Sequence, residues 1–277
     1  MTRNANEFLV LGATGKTGRR VVRRLRDEGR TVRAASRSGE VRFDWAEPAT
    51  WKDALDGALR VYLVAPDDPA PIGDFVAAAV GAGVERFVVL SGRDVSEFDG
   101  GFGAGMVAAE KAVRDSGVEW TIIGANNFNQ NFDEDLWREP LRSGRLALPI
   151  GDMGEPFVDL EDLADVAVAL LAKDGHAGQN YALSGPRGLT FGEAVEVISK
   201  AAGRPMRYVE LTPAEYRTEL GAEGYPDEAV DSLDALFAIL RAGHLAEPTD
   251  TVEKVLGRPP IDFETYAARA AASGAWS

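Results

Sequence analysis

The sequence predicts an α/β protein built on a doubly wound parallel sheet, with a smaller, discontinuous α+β region toward the C-terminus. Three observations carry that prediction. Short β-rich runs alternate with helical patterns through the first half of the 277 residues, as βαβ units require. Runs such as "RFVVLS" at Arg86–Ser91 are almost wholly apolar, which suits a sheet covered on both faces. The first run, inside "LVLGATGKTGRRVV" at Leu9–Val22, passes through a glycine-rich turn into a basic helix.

In chain order, strands are expected at Phe8–Leu11, Thr31–Ala35, Val61–Ala65, Arg86–Leu90 and Trp120–Ile123. Helices are expected between them at Thr17–Glu28, Thr50–Leu55, Pro71–Ala82 and Met106–Ser116. After Ala125 the texture changes: "NNFNQNF" is amide-rich, and short helices mix with isolated strands in "NYALSG" and "MRYVEL". "DLEDLAD" places Asp159, Asp162 and Asp165 near a helix start, where carboxylates complement the dipole. Two helices close the chain at Asp227–Ala242 and Asp262–Ala272, the second capped by Asp262. With no repeat, low-complexity tract or long linker, the second half is expected to pack directly on the first and form a cleft with it.

Composition narrows the function. The chain is 45% hydrophobic with a net charge of −14, and such a field repels polyanions, so nucleic acid is not an expected partner. Arg19, Arg20, Arg23, Arg24 and Arg26 alternate with Val21, Val22 and Leu25 and read as the wet face of an amphipathic helix. The absence of cysteine excludes disulfides, thiolate nucleophiles and Cys-ligated metal. The opening "MTRNANEFLVLGATG" lacks the apolar stretch of a signal peptide. Apolar runs such as "VAVALLA" at Val166–Ala172 fall far short of the ~20 residues that cross a bilayer. The expectation is a soluble, cytoplasmic protein with no membrane partner.

Gly12, Gly15 and Gly18 stand three apart. The first permits a sharp exit from the strand, the second lets backbone approach a pyrophosphate, and the third lets the helix press on the sheet. N–H groups at the helix start then hold phosphate. "GKT" at Gly15–Thr17 resembles the end of a triphosphate-binding loop, but the glycine required five residues earlier is Val10. The second strand ends in "AASRSG", with Ser36, Arg37 and Ser38 where an NAD site would carry a carboxylate. Arginine between hydroxyls suits a 2′-phosphate, and Lys16 adds a nearby cation; the expected cofactor is NADP(H).

"GATGKTGRRVV", "FDWAEPATW", "GVERFVVLSG", "NNFNQNF", "PFVDLEDLADVAVALL" and the tail "VEKVLGRPPIDFETYA" resemble, in that order, the NmrA-like branch of the atypical short-chain dehydrogenase/reductases. The resemblance implies a Rossmann domain over 1–125, continued by about 155–185, with 126–154 and 186–277 forming the substrate region. It also implies adenine-side contacts around Asp44 and Trp45, cofactor contacts at Ala65 and Pro66, and a serine, Ser91, on the nicotinamide side; Gly12, Thr14, Gly15, Lys16, Thr17 and Gly18 complete the expected cofactor site. The chain departs from the family at Gly124-Ala125, which often reads Arg-Pro, so a roomier or reshaped pocket floor is expected.

Many enzymes of that superfamily use Tyr-x-x-x-Lys, in which lysine lowers the tyrosine pKa so that it can protonate an alkoxide. None of Tyr62, Tyr181, Tyr208, Tyr216, Tyr225 and Tyr266 has lysine four residues on; Met106 and Glu110 stand at the expected places. Reduction of a simple ketone is thereby disfavoured, and acceptors that spread or cancel the arriving charge are favoured. Ser91 and Glu110 are the candidate catalytic residues, the latter as a proton donor if buried. Asn126 and Asn127 are expected at the nicotinamide. Met106, Phe128, Gln130 and Phe132 are expected as the walls of a substrate pocket, where α/β sheets bind ligands. His176 and His244 lack metal-ligand spacing, and no G-x-S-x-G elbow occurs; no metal is expected.

The leading function is NADPH-dependent reduction of a hydrophobic conjugated or aromatic small molecule. An NADP(H)-sensing regulator with a protein partner and a non-redox enzyme on the same frame stay open, as does a homodimer.

Overall fold

A computed structural model describes residues 7–97 and 103–277; residues 1–6, read above for a leader, lie outside the described residues. The chain runs β1 (Glu7–Leu11), α1 (Lys16–Asp27), β2 (Thr31–Ser36), β3 (Val41–Arg42), α2 (Trp51–Leu55), β4 (Arg60–Val64), α3 (Ile72–Ala82), β5 (Arg86–Gly92), α4 (Ala104–Arg114) and β6 (Glu119–Ala125). It continues through α5 (Arg138–Arg142), β7 (Arg145–Leu148), α6 (Leu160–Ala172), β8 (Gln179–Leu183), α7 (Phe191–Ala202), β9 (Arg207–Glu210), α8 (Pro213–Ala222), α9 (Asp227–Ala242), α10 (Thr251–Leu256) and α11 (Phe263–Ala272).

The main sheet is parallel with strand order β3-β2-β1-β4-β5-β6-β8. Its side chains alternate as strand geometry demands. Phe8, Val10, Tyr62 and Val88 face α1 and α6, while Leu9, Leu11, Val61, Leu63, Phe87 and Val89 face α2, α3 and α4. The order reverses at β1, with β2 on one side and β4 on the other, so a crevice opens beyond the carboxyl ends of these strands.

A second core gathers Phe132, Trp137, Phe157, Phe191, Phe237, Phe263 and Tyr266 around α7, α9, α11 and the two-stranded β7·β9 sheet. The chain leaves the sheet after β6, returns at α6, leaves after β8 and returns at α10, whose Val252 joins the α1/α6 core; α11 then goes back to the second lobe.

The basic face of α1 is wet at Arg19, Arg23 and Arg26, but Arg20 is buried and Arg24 half-buried. Arg20, only 8% exposed, pairs with Glu134 and Glu161, Arg23 with Glu161, and Arg24 with Asp165 and Glu161. Helical spacing finds the polar stripe but not the acidic partners opposite it. Asp159 caps α6, accepting from Glu161 N at 2.8 Å, whereas Asp162 and Asp165 both bind Arg258.

Candidate active site

The glycine turn leaves β1 at Gly12, whose φ of +63° strains any other residue. A Cβ at Gly18 would lie 2.2 Å from Gly12 O, so Gly18 serves to press α1 onto the turn and does not line the cleft. Helix α1 has no side-chain cap at Gly15, which leaves first-turn N–H groups for an anion. Thr14, Gly15, Lys16 and Thr17 line the cleft. Lys16 Nζ binds Asn131 Oδ1 at 2.8 Å, pairs with Asp135 and sits 5.7 Å from the Phe128 ring centroid.

At the tip of β2, Ser36, Arg37 and Ser38 line the same cleft, and Thr14 Oγ1 donates to Ser36 Oγ at 3.2 Å. Arg37 is exposed and makes no hydrogen bond or ion pair among the described residues, unlike the arginines of α1. This uncommitted fork between hydroxyls fits a 2′-phosphate. Asp44 and Trp45 form a side wall. The Asp44 carbonyl accepts from Trp51 Nε1 at 3.0 Å, and Trp45 stacks edge-on against Phe43 and Phe75. Ala65 and Pro66 follow β4; a Cβ at Gly105 would meet Pro66 O at 1.7 Å, so that glycine lets α4 close on this loop.

Further along, Ser91 is 3% exposed and donates from Oγ to Glu110 Oε1 at 2.6 Å. Glu110 Oε2 pairs with Arg114 at 3.0 Å. Glu110 is buried behind the serine and does not line the cleft, so its reach is to Ser91 and not to a substrate. Asn126 Nδ2 donates to Glu155 Oε1 and to Leu245 O, each at 3.0 Å, and Asn127 N donates to Glu155 Oε1 at 2.9 Å. Burial pushes the Glu155 carboxyl up, while those donors pull it back.

Of the expected pocket walls, Met106 and Phe128 line the cleft. Gln130 does not: its Oε1 accepts from Leu160 N at 2.9 Å and its Nε2 binds Asp159, so it caps α6. Phe132 does not either; it is fully buried against Trp137, Phe157, Phe191 and Phe263. Nor does Gly124 open the floor, because a Cβ there would lie 3.2 Å from Arg93 Cα; the end of β5 fills that space.

Residues that sequence reasoning missed complete the cavity: Arg93, Val95, Leu136 and, from α9 and the loop after it, Leu236, Ile239, Leu240 and Leu245. The amphipathic pattern of α9 signalled Leu236, Ile239 and Leu240 alone, and it does not say what the apolar face covers. The cleft holds about 1010 Å³, room for a dinucleotide with a small molecule beside it. Among the described residues no tyrosine lines it and Lys16 is its sole lysine. None of them forms a three-ligand metal cluster, and none of their helices is long and apolar enough to cross a membrane. His176 instead bonds Tyr181 at 2.7 Å.

The profile of the NmrA-like family matches residues 4–266. An NAD(P)H azoreductase of Xenophilus azovorans is 33% identical, with 97% of this chain and 99% of that protein aligned. A (4-alkanoyl-5-oxo-2,5-dihydrofuran-3-yl)methyl phosphate reductase of Streptomyces griseus is 36% identical, with 94% and 96% aligned. Among solved structures, the NADPH-dependent quinone oxidoreductase QOR2 of Escherichia coli, complexed with NADPH, superposes with a TM-score of 0.78 at 22% identity, covering 95% of this chain and 99% of that one. The last likeness is one of fold.

Proposed function

From a chain that belongs to the NmrA-like family of atypical short-chain dehydrogenases/reductases, and is an NADP(H)-binding oxidoreductase on the strength of relatives 33–36% identical, we propose that its cleft passes hydride from NADPH to a quinone-, enone- or dye-like acceptor. The observation that carries this reading is the cleft itself. It joins the glycine turn and an uncommitted Arg37 at one end to an apolar chamber walled by Val95, Met106, Ile239 and Leu245 at the other.

The first turn of α1 and Lys16 grip the pyrophosphate, Arg37 with Ser36 and Ser38 takes the 2′-phosphate, and Trp45 walls the adenine. Bound NADPH supplies the hydride. Ser91 lies on the nicotinamide side; Asn126, its amide committed to Glu155, Leu245 and Arg93, shapes that wall without a free donor. Among the described residues the cleft offers no tyrosine–lysine acid, so the acceptor is one whose charge delocalises after hydride arrives, and water completes protonation. Two relatives act on acceptors of this kind by their names, an azo compound and an unsaturated furanone.

The test is the loss of reduced-nicotinamide absorbance with a panel of quinones, enones and azo dyes, with NADPH and NADH compared. Turnover with NADPH preferred supports the reading. Tight NADPH binding with no turnover overturns it in favour of a sensor, and product without net cofactor consumption overturns it in favour of non-redox chemistry.

A further inference from the structure

We infer that the outer chamber recognises an oxyanionic group on the acceptor (carboxylate, sulfonate or phosphate) through the guanidinium of Arg93. The inference rests on the reductase reading for the presence of an acceptor and on the cleft geometry for the rest. Arg93 follows β5, where its N–H donates to Ala125 O at 3.0 Å, and its side chain lines the cleft while only 13% exposed.

Burying a guanidinium is costly unless its charge is met. The two comparably buried arginines meet theirs with carboxylates: Arg20 with Glu134 and Glu161, Arg86 with Glu119 and Asp174. Arg93 does not. Its Nη1 reaches only neutral acceptors: Glu247 O at 2.8 Å, Asn126 Oδ1 at 3.2 Å and Leu245 O at 3.4 Å. Its Nε is buried with no hydrogen-bond partner, and Nη2 makes no hydrogen bond among the described residues. Two carboxylates lie near without hydrogen-bonding it. Asp94 stands 3.6 Å from Nε and is nearly half exposed; Glu155 feels the cation across the Asn126 amide. Asp94 is also the one described non-glycine residue in the left-handed region, with φ of +53°, and such strain gathers at functional positions. The guanidinium is thus anchored through one nitrogen with N–H capacity to spare, beside Val95, Leu240 and Leu245. In so apolar a chamber a charge-assisted pair is worth more than in water.

The experiment compares 4-phenylazobenzoate with its methyl ester as acceptors, near neutral pH, and measures the dissociation constants of both from NADP⁺-loaded protein by calorimetry. The acid is expected to have a KM and a dissociation constant about tenfold below the ester's. That ratio should collapse toward one in Arg93→Gln and partly persist in Arg93→Lys. Because Arg93 also ties the 245–247 loop, the wild-type acid-to-ester ratio stands alone if a variant fails to fold. Equal KM values for acid and ester in wild type overturn the inference and leave the reductase reading intact. If neither probe is reduced although NADPH binds, the reductase reading loses its support from azo acceptors and the calorimetry decides the inference: tighter binding of the acid supports it, and equal or absent binding of both overturns it.

Discussion

Ser91 Oγ donates a 2.6 Å hydrogen bond to Glu110, whose other oxygen is held by Arg114. The serine proton is therefore committed away from the cleft, and its lone pairs remain for an amide N–H donor such as a carboxamide. Ser91→Ala is expected to raise the KM for NADPH about two- to tenfold, the range of one neutral hydrogen bond, with a much smaller fall in kcat. Steady-state kinetics with saturating acceptor would read it. A kcat reduced a hundredfold at constant KM would make Ser91 the proton donor and refute this assignment.

Among the described residues, Arg37 alone supplies an unspent charge at the tip of β2. Arg37→Ala should weaken NADPH by roughly 1.5–3 kcal/mol, about 10- to 100-fold, and leave NADH within about twofold. Titrations with each nucleotide at low and high salt check this. Equal losses for both would mean that the arginine does not read the 2′-phosphate.

On the proposed reading Lys16 serves the pyrophosphate, and Asp135, which pairs with it, would compete for that cation. The pair is nearly half exposed on the acidic side, so its worth is that of a surface ion pair, about 0.2–1 kcal/mol. Asp135→Asn is expected to tighten NADPH binding by up to about fivefold, and the gain should shrink as salt rises. Weaker binding in the variant would show that Asp135 helps the nucleotide.

Asp133 is pushed up to about 6 from 3.8, chiefly by burial, with its bond to Tyr266 at 2.8 Å acting the other way. Because the folded value lies above the unfolded one, the protonated form stabilises the fold. That contribution is complete below about pH 3.8 and lost as pH rises through about 6. After allowance for partial exposure it amounts to about 1–2 kcal/mol. Asp133→Asn should therefore melt higher than wild type at neutral pH and show no advantage near pH 4. A Tm difference that does not change with pH would sink the argument.

How much of this was legible in the chain is seen in "NNFNQNF". The amides and rings announced a special segment at the sheet mouth, but a single 3-10 turn over Asn129–Asn131 sends Phe128 to the cleft and Phe132 into the second core. Residue type cannot distinguish those two directions. The glycine turn and "SRS" were readable because their geometry is local, set by φ and by neighbours on the same strand. Arg93, Ile239 and Leu245 were not, because a chamber wall forms only when α9 and its following loop fold across the ends of β5 and β6. The burial of Arg20 on the otherwise exposed basic face of α1 was missed for the same reason, its partners lying more than a hundred residues away.

The repeated passage of the chain between the sheet and the second lobe limits how this molecule can breathe. A clamshell motion bends one or two connecting strands, whereas here the link after β6, the entries to α6 and α10, and the exits after β8 and α10 would all have to flex together. The Arg20–Glu134–Glu161 bridge pins the halves again beside the glycine turn. For ligands of the proposed kind, entry is then expected through local shifts at the rim, around half-exposed Leu136 and the Asp135 side chain, rather than through a parting of the lobes.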